Sequence, residues 1–207
     1  MSRSNAYGDG GRDLAYLIKQ TSNYDKDERY MATNDIASIL TSGEIKIDVR
    51  MERAICSAIL KQLDDTSNDV QSIAVKCLSI LVKQCHVEQV ESICDTLSRL
   101  MMNDSAEDLR DVYSIGLKTA ISDMSEAAGK VIADAMAPRL LNGIISSSSL
   151  SVKVECIDIL SEMLKRFGES MGNVNGELTR LILKQLSNDK AQVRKRSIVC
   201  EVPHATD

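Results

Sequence analysis

The sequence predicts an all-α protein, specifically an α-solenoid of about five antiparallel helix pairs that wind into a right-handed superhelix. Three observations predict this fold class. Apolar residues recur at helical spacing along most of the 207 residues. A pattern of polar turn and amphipathic helix returns about every 41 residues. No segment of the sequence shows the alternation of apolar and polar residues that is typical of a β-strand.

The repeat can be read directly from the letters. The segment Ile59–Leu63 recurs without change at Ile182–Leu186, which is 123 residues later, or three periods of 41. In both places a turn containing Asp follows, and then a valine, Val70 or Val193. The corresponding positions in the five units are Asp27, Asp69, Asp108, Ser151 and Gln192, with spacings of 42, 39, 43 and 41 residues.

Each unit contains two helical patterns joined by a polar turn. In the second unit this turn is Asp64–Asp69, whose Thr, Ser, Asn and Asp residues are natural N-caps for the next helix. The apolar residues before the turn are Ile55, Ile59, Leu60 and Leu63, and those after it are Val70, Ile73, Ala74, Cys77, Leu78 and Leu81. The other predicted first helices are Asp13–Gln20, Gln89–Met102, Lys130–Ile145 and Gly176–Leu186. We expect Pro138 to kink the helix that contains it.

A two-helix unit of this length is typical of HEAT or armadillo repeats, and the compact units favour HEAT because armadillo units carry a third helix. The predicted organisation is a flexible N-terminal tail (1–11), a solenoid (12–200) with an incomplete last repeat, and an irregular C-terminal tail (201–207). Since Pro203 ends the fifth unit early, we expect a truncated or alternatively ended form of a longer solenoid, with a last repeat that frays.

Composition narrows the function to protein binding. Aromatic residues make up only 3% of the chain and the net charge is −5, which argues against nucleic-acid binding and predicts an aliphatic core. No run of 18 apolar residues predicts a membrane span, and no apolar segment near Met1 predicts a secretory signal. The six cysteines lack C-x-x-C spacing and are predicted to be reduced and structural.

No catalytic constellation, cofactor site or metal-ligand spacing is recognisable. The only histidines are His86, in a predicted turn between repeats, and His204, in the tail. Gly8–Gly11 follows no strand and is interpreted as a flexible tail rather than a phosphate-binding loop. The acidic pair Asp64 and Asp65 is predicted to cap helices, and Ser146–Ser149 to form a polar loop. We therefore expect no enzyme activity and no small-molecule substrate.

The polar faces of the second helices are the predicted partner-binding surface, because these helices usually line the concave side of a solenoid. The candidate residues are Arg29, Thr33, Asn34, Gln71, Lys76, Arg110, Asp111, Lys118, Arg194, Lys195 and Arg196. The last three of these form a basic cluster with Lys190. This cluster fits either a solvated helix face or a contact with an acidic patch on a partner, and the free chain is expected to be monomeric.

Four phrases of the sequence resemble the cullin-associated and neddylation-dissociated protein family, also called the TATA-binding-protein-interacting proteins. They are Asp25–Ile36, Val70–Leu78, Leu109–Thr119 and Val193–Ile198, which resemble the first, second, third and fifth repeats of that family. The resemblance runs in register from about Leu14 to Cys200. This chain differs from the family pattern in having only about five repeats and in its last seven residues.

The resemblance implies a non-catalytic scaffold that wraps unneddylated cullin–RING ubiquitin ligases and affects their assembly and the exchange of substrate receptors. It implies a cullin and its RING-box subunit as partners, and a location in the cytoplasm and the nucleus. In that family the N-terminal repeats lie near the cullin C-terminal region. The alternative, which rests on the fold alone, is a generic HEAT-repeat adaptor of the transport or phosphatase-scaffold type.

Overall fold

The computed structural model describes residues 10–43 and 47–200. Over these ranges the chain forms ten α-helices and no strand. The helices are α1 (Gly10–Gln20), α2 (Lys26–Ser42), α3 (Val49–Gln62), α4 (Asn68–Gln84), α5 (Val87–Met101), α6 (Arg110–Asp123), α7 (Glu126–Ser146), α8 (Leu150–Phe167), α9 (Gly172–Gln185) and α10 (Ala191–Val199). Short 3-10 helices at Asp104–Leu109 and Gly168–Met171 precede α6 and α9.

The chain divides into two compact units, with the division between Cys85 and His86. Unit 1 contains two helix pairs, in which α1 packs against α2 and α3, and α4 packs against α2 and α3. Unit 2 contains three helix pairs, in which the first helices α5, α7 and α9 contact one another in sequence. Its second helices α6, α8 and α10 do the same. This layering of paired helices confirms the predicted α-solenoid fold class.

The core of each unit is aliphatic, as the composition predicts. In α4 every residue of the predicted apolar stripe is buried, from Val70 to Leu81 at helical spacing. The only phenylalanine, Phe167 in α8, packs so closely on Gly129 of α7 that a Cβ at Gly129 would overlap its ring. Gly129 therefore sets how closely α7 and α8 approach each other.

The helix ends follow ordinary capping rules at several of the predicted turns. The side chains of Asp25, Asp48, Ser125 and Ser149 accept backbone N–H groups in the first turns of α2, α3, α7 and α8. Gly43 ends α2 in the left-handed conformation, with φ of 65°. The loop predicted at Ser146–Ser149 is one residue shorter, because Ser146 is the last residue of α7 and α8 begins just after Ser149.

One local expectation needs correction, and others stay predictions or lie outside the described residues. Helix α1 begins at Gly10, so the last two residues of the predicted tail are helical. Glycine is tolerated there because the first N–H groups of a helix need no intrahelical acceptor. Helix α7 continues through Pro138, so this residue does not end the helix, and a kink there stays a prediction. Residues 1–9 and 201–207, including His204, are outside the described ranges.

Candidate partner-binding face

All eleven predicted binding residues lie on second helices, but they occupy two different environments. Some lie at the start of their helix and turn back toward the preceding turn. The others reach solvent. The two groups have to be separated before a binding surface can be assigned, because a buried, fully bonded side chain cannot contact a partner directly.

The five turns between paired helices share one hydrogen-bond motif. In each turn a side-chain oxygen accepts the backbone N–H group two residues ahead, which is an Asx- or Ser-type turn. The accepting residues are Asn23, Asp65, Asn103, Ser147 and Asn188, with N···O distances of 2.9 to 3.1 Å. The motif starts each second helix in the same way despite different sequences.

A long donor side chain from the second helix then binds carbonyl groups of the same turn. We call these side chains the turn-binding residues; they are Arg29, Gln71, Arg110, Lys153 and Arg194. The last carbonyl groups of a helix have no intrahelical donor, and a cation near them also interacts favourably with the helix dipole. Arg110 and Lys153 thus satisfy carbonyl groups at the C-terminal ends of α5 and α7. The other three donors bind carbonyl groups of the turn itself, so all five have a structural role.

Arg29 shows the arrangement most completely. Its Nη1 donates to the carbonyl oxygens of Asn23 and Tyr24, both at 3.0 Å. Its Nε and Nη2 donate to the two carboxylate oxygens of Asp65, in the turn of the next repeat, at 2.6 and 2.8 Å. This bidentate pair lowers the pKa of Asp65 and raises that of Arg29, since each charge stabilises the other. Asp65 thus binds an arginine rather than serving only as the predicted cap.

Thr33 and Arg110 are corrections to the predicted surface. Thr33 is fully buried, and its hydroxyl lies 2.9 Å from the Arg29 carbonyl oxygen and 3.1 Å from the Gln62 side-chain oxygen. Arg110 is 2% exposed and donates to the carbonyl oxygens of Met101 and Asn103 at 3.0 and 3.3 Å. The interpretation of these two residues as part of an exposed polar face is wrong, because both complete buried hydrogen-bond networks.

The remaining candidates reach solvent. Asn34 and Lys76 are exposed in unit 1, and Asp111, Lys195 and Arg196 are exposed in unit 2. The side chain of Lys118 is 31% exposed. These six residues keep a surface position from which they could contact another protein.

In unit 2 the second helices carry a charge network that sequence reasoning missed. Lys118 Nζ lies 3.0 Å from Glu155 and 3.6 Å from Asp158, and Arg196 Nε lies 3.4 Å from Asp158. Ser114 donates a hydrogen bond to Glu155. Burial raises the pKa of Asp158, and the charges of Lys118 and Arg196 partly oppose that rise. In the sequence, the only sign of this network is that the residues of each ion pair are about one repeat apart.

A groove of about 790 Å³ runs beside this network, between the second helices α8 and α10. We call it the α8–α10 groove; its polar lining includes Ser149, Ser151, Glu155, Gln192, Lys195 and Arg196. The lining holds two cations, Lys195 and Arg196, and two carboxylates, Glu107 and Glu155, together with hydroxyl groups, so it suits a polar segment that carries charges. This groove contains two of the three predicted basic residues of the last helix.

A second, smaller groove of about 280 Å³ lies between the first helices α5 and α7. Its acidic wall includes Asp95, whose carboxylate is already bound by Arg139 at 2.5 Å and by Arg99 at 2.9 Å. These pairs lower the pKa of Asp95 against the opposing effect of burial. This groove is the weaker candidate because it is smaller, and because its Asp95 and Arg139 already bind each other.

Other site types receive no support from the part of the chain that was described. Within residues 10–43 and 47–200, no group of three or more His, Cys, Asp or Glu side chains is arranged to hold a metal ion. No helix in these ranges is both long and apolar enough to cross a bilayer. His86 lies, as predicted, at the turn between repeats, where it precedes the first residue of α5.

Several known proteins are similar to this chain in sequence. No protein-family model matches the chain. Cullin-associated NEDD8-dissociated protein 2 of Mus musculus is 39% identical over 191 residues, which are 90% of this chain and 15% of the relative. Cullin-associated NEDD8-dissociated protein 1 of Drosophila melanogaster is 38% identical over 189 residues, with the same two coverages. Over 90% of its length, this chain is therefore similar to cullin-associated NEDD8-dissociated proteins.

The match covers most of this chain but little of each full-length relative. The chain spans about 15% of the length of these two family members. A more distant member, from Emericella nidulans, is described as an N-terminal part; it is 24% identical, and the match covers 90% of this chain and 64% of that protein.

One solved structure supports the fold independently of sequence. The MAST/Orbit N-terminal domain aligns with a TM-score of 0.62 at 14% identity, over 88% of this chain and 78% of that domain. At this identity the likeness shows the helical-repeat fold alone.

Proposed function

We propose that this chain is a non-catalytic binding segment for a cullin–RING ubiquitin ligase core. The observation that carries the proposal is its similarity over 90% of its length to relatives that are named as cullin-associated and NEDD8-dissociated. The proposal includes the cullin and its RING-box subunit as partners, a monomeric free chain, and a cytoplasmic and nuclear location. An effect on ligase assembly and substrate-receptor exchange is part of the same proposal.

The exposed charges of the second helices supply the contact surface in this proposal. Lys195 is exposed at the rim of the α8–α10 groove, and the side chain of Arg196 is 53% exposed beside it. Partner carboxylates placed in the groove would meet both cations, which would speed association more than it would deepen affinity. In unit 1, Lys76 is an exposed cation on α4. The turn-binding residues are excluded from this surface because their donors are used inside the fold.

The direct test is retention of the full chain on an immobilised cullin–RING complex. We expect retention on the unmodified complex and clearly less on the same complex after NEDD8 conjugation. Equal retention on both, or none on either, contradicts the proposal. Retention instead on an importin cargo or a phosphatase subunit would assign the chain to the generic adaptor class.

A matched pair of variants tests whether the second-helix face is used in unit 1. Lys76→Glu reverses an exposed charge on the second helix α4, and Lys61→Glu reverses an exposed charge on the first helix α3 of the same repeat. We expect Lys76→Glu to lower retention and Lys61→Glu to leave it unchanged. The reverse result would place the contact on the first helices.

A further inference from the structure

Two thiol groups of unit 1 lie in direct contact. Cys56, in the middle of α3, and Cys85, immediately after the last residue of α4, have their sulfur atoms 3.7 Å apart. They are separated by 29 residues in the chain. Neither the spacing of the cysteines nor their helical pattern predicted this pair, because the contact depends on how α3 packs against α4.

One member of the pair, Cys85, differs from the other described cysteines in exposure. Cys85 is the only half-buried one among the six, which are all free thiols, and the other five are buried. Burial raises the pKa of Cys77, Cys94 and Cys156 to about 12, so these thiols stay protonated and unreactive at neutral pH.

Within the pair, the two sulfur atoms are chemically unequal. Either sulfur can donate to the other, and the hydrogen bond between them lowers the pKa of Cys56 and raises that of Cys85. Burial and the negative charge of the nearby Glu52 oppose the lowering. A thiol that donates to a thiolate in contact is the arrangement from which a disulfide forms most directly.

We propose that Cys56 and Cys85 are a reversible oxidation site that closes to an intramolecular disulfide in the presence of a peroxide. In the first step a sulfur attacks the peroxide, the O–O bond breaks, and a sulfenic acid and hydroxide form. The second sulfur then displaces the hydroxyl group, and the S–S bond forms. Overall, two thiols lose two electrons and two protons, and one hydrogen peroxide is reduced to two water molecules.

The required movement is small. A disulfide holds its sulfur atoms about 2.05 Å apart, so the two atoms must approach by about 1.6 Å. Cys85 has extended backbone angles, φ −72° and ψ 152°, and lies between helices rather than within one. Its side chain can therefore rotate toward Cys56 without displacing a helical turn.

The bond would tie the middle of α3 to the end of α4. Closing this loop restricts the unfolded chain and thereby stabilises the folded one. We expect the thermal unfolding midpoint of the oxidised chain to lie roughly 5–10 °C above that of the reduced chain. Dithiothreitol should remove the increase.

Peptide mapping of the full chain tests the proposal. The reduced protein is treated with hydrogen peroxide, its remaining thiols are alkylated, and it is digested with trypsin. We expect a linked pair of peptides, Ala54–Lys61 with Gln84–Arg99, in an amount that rises with peroxide and disappears with dithiothreitol. The Cys77 and Cys156 peptides should stay alkylated.

Two variants distinguish this pair from its neighbours. Gln84–Arg99 contains both Cys85 and Cys94, so Cys94→Ser serves as the control that leaves Cys85 alone in its peptide. We expect Cys94→Ser to keep the link and the shift in midpoint, and Cys85→Ser, at a half-buried position, to lose both. Equal alkylation of Cys56 before and after peroxide would overturn the proposal. So would a link to Cys94 or between two chains.

Discussion

The second helices carry charged residues in two settings that look alike in the sequence and behave differently in the fold. At the start of the helix, Arg29, Arg110 and Arg194 turn back and donate to carbonyl groups of the preceding turn. Lys76 and Lys195 point to solvent instead. Charge on a second helix therefore does not by itself identify a binding surface. The direction of the side chain, toward the preceding turn or toward solvent, decides which charges are structural.

The three arginines also differ among themselves. Arg110 is almost fully buried, with 2% exposed. The Arg29 side chain is 14% exposed and shares a bidentate ion pair with Asp65. Arg194 is half-buried and makes only the carbonyl bonds among the described residues, to Asn188 and Asp189. The same motif therefore occurs with three degrees of burial and ion pairing. Removing each arginine in turn shows how much burial and pairing contribute to the free energy of unfolding.

The largest effect is expected for Arg110→Ala. The change leaves two carbonyl groups without their donor and opens a cavity below the 3-10 helix Asp104–Leu109, so the free energy of unfolding should fall by about 3 kcal/mol. Urea unfolding followed by circular dichroism measures this value. A loss below about 1 kcal/mol would mean that water replaces the guanidinium group at the carbonyl oxygens, and that burial of the Arg110 side chain contributes little to the free energy of unfolding.

A smaller and graded effect is expected for the same substitution in the first and fifth repeats. Arg29→Ala removes carbonyl bonds and an ion pair, and should cost about 2–3 kcal/mol; Arg194→Ala removes carbonyl bonds alone, and should cost about 1 kcal/mol. A double-mutant cycle of Arg29→Ala with Asp65→Ala should give a coupling energy of about 1 kcal/mol or more. Equal costs at Arg29 and Arg194, with no coupling, would assign all of the stabilisation to the carbonyl bonds.

The pH dependence of stability should separate a paired carboxylate from a buried one. The pKa of Asp65 is lowered in the folded state, so its contribution is present above the unfolded pKa of about 3.9 and is lost as pH falls through the folded value. The pKa of Asp158 is raised, so its contribution is largest at low pH and is lost as pH rises through the folded value. Stability measured against pH for Asp65→Asn and Asp158→Asn should therefore differ from the parent chain with opposite slopes. Slopes of the same sign would contradict this interpretation of the two environments.

The fold was predictable because its signals are local. Helical spacing of apolar residues and the return of one turn pattern located all five helix pairs, and the structure moves their ends by only a few residues. The Ile59–Leu63 and Ile182–Leu186 segments lie in α3 and α9, which are equivalent first helices. Each of these patterns involves residues within about 20 positions of one another, so it can be recognised from the sequence alone.

The site was predictable only in part because side-chain direction depends on packing between elements. Aligning the repeats places a long donor at the same position in every unit, and this column was the signal that the residues are structural. Its members are Arg29, Gln71, Arg110, Lys153 and Arg194. The contacts between Cys56 and Cys85, and between Lys118 and Glu155, join residues 29 and 37 positions apart, and only the second pair has a spacing near one repeat.

The smallest effect on stability, and the sharpest test of the comparison, is expected for Lys195→Glu. Lys195 is exposed and contributes no turn hydrogen bond, so the free energy of unfolding should change by less than about 0.5 kcal/mol. Retention on the unmodified cullin–RING complex should nevertheless fall, mainly through a slower association rate that high salt obscures. Lys184→Glu, an exposed charge on the first helix α9 of the same repeat, should change neither quantity. If Lys184→Glu weakened binding as much as Lys195→Glu, the effect would depend only on the net charge of the chain. The α8–α10 groove would then not be the contact surface.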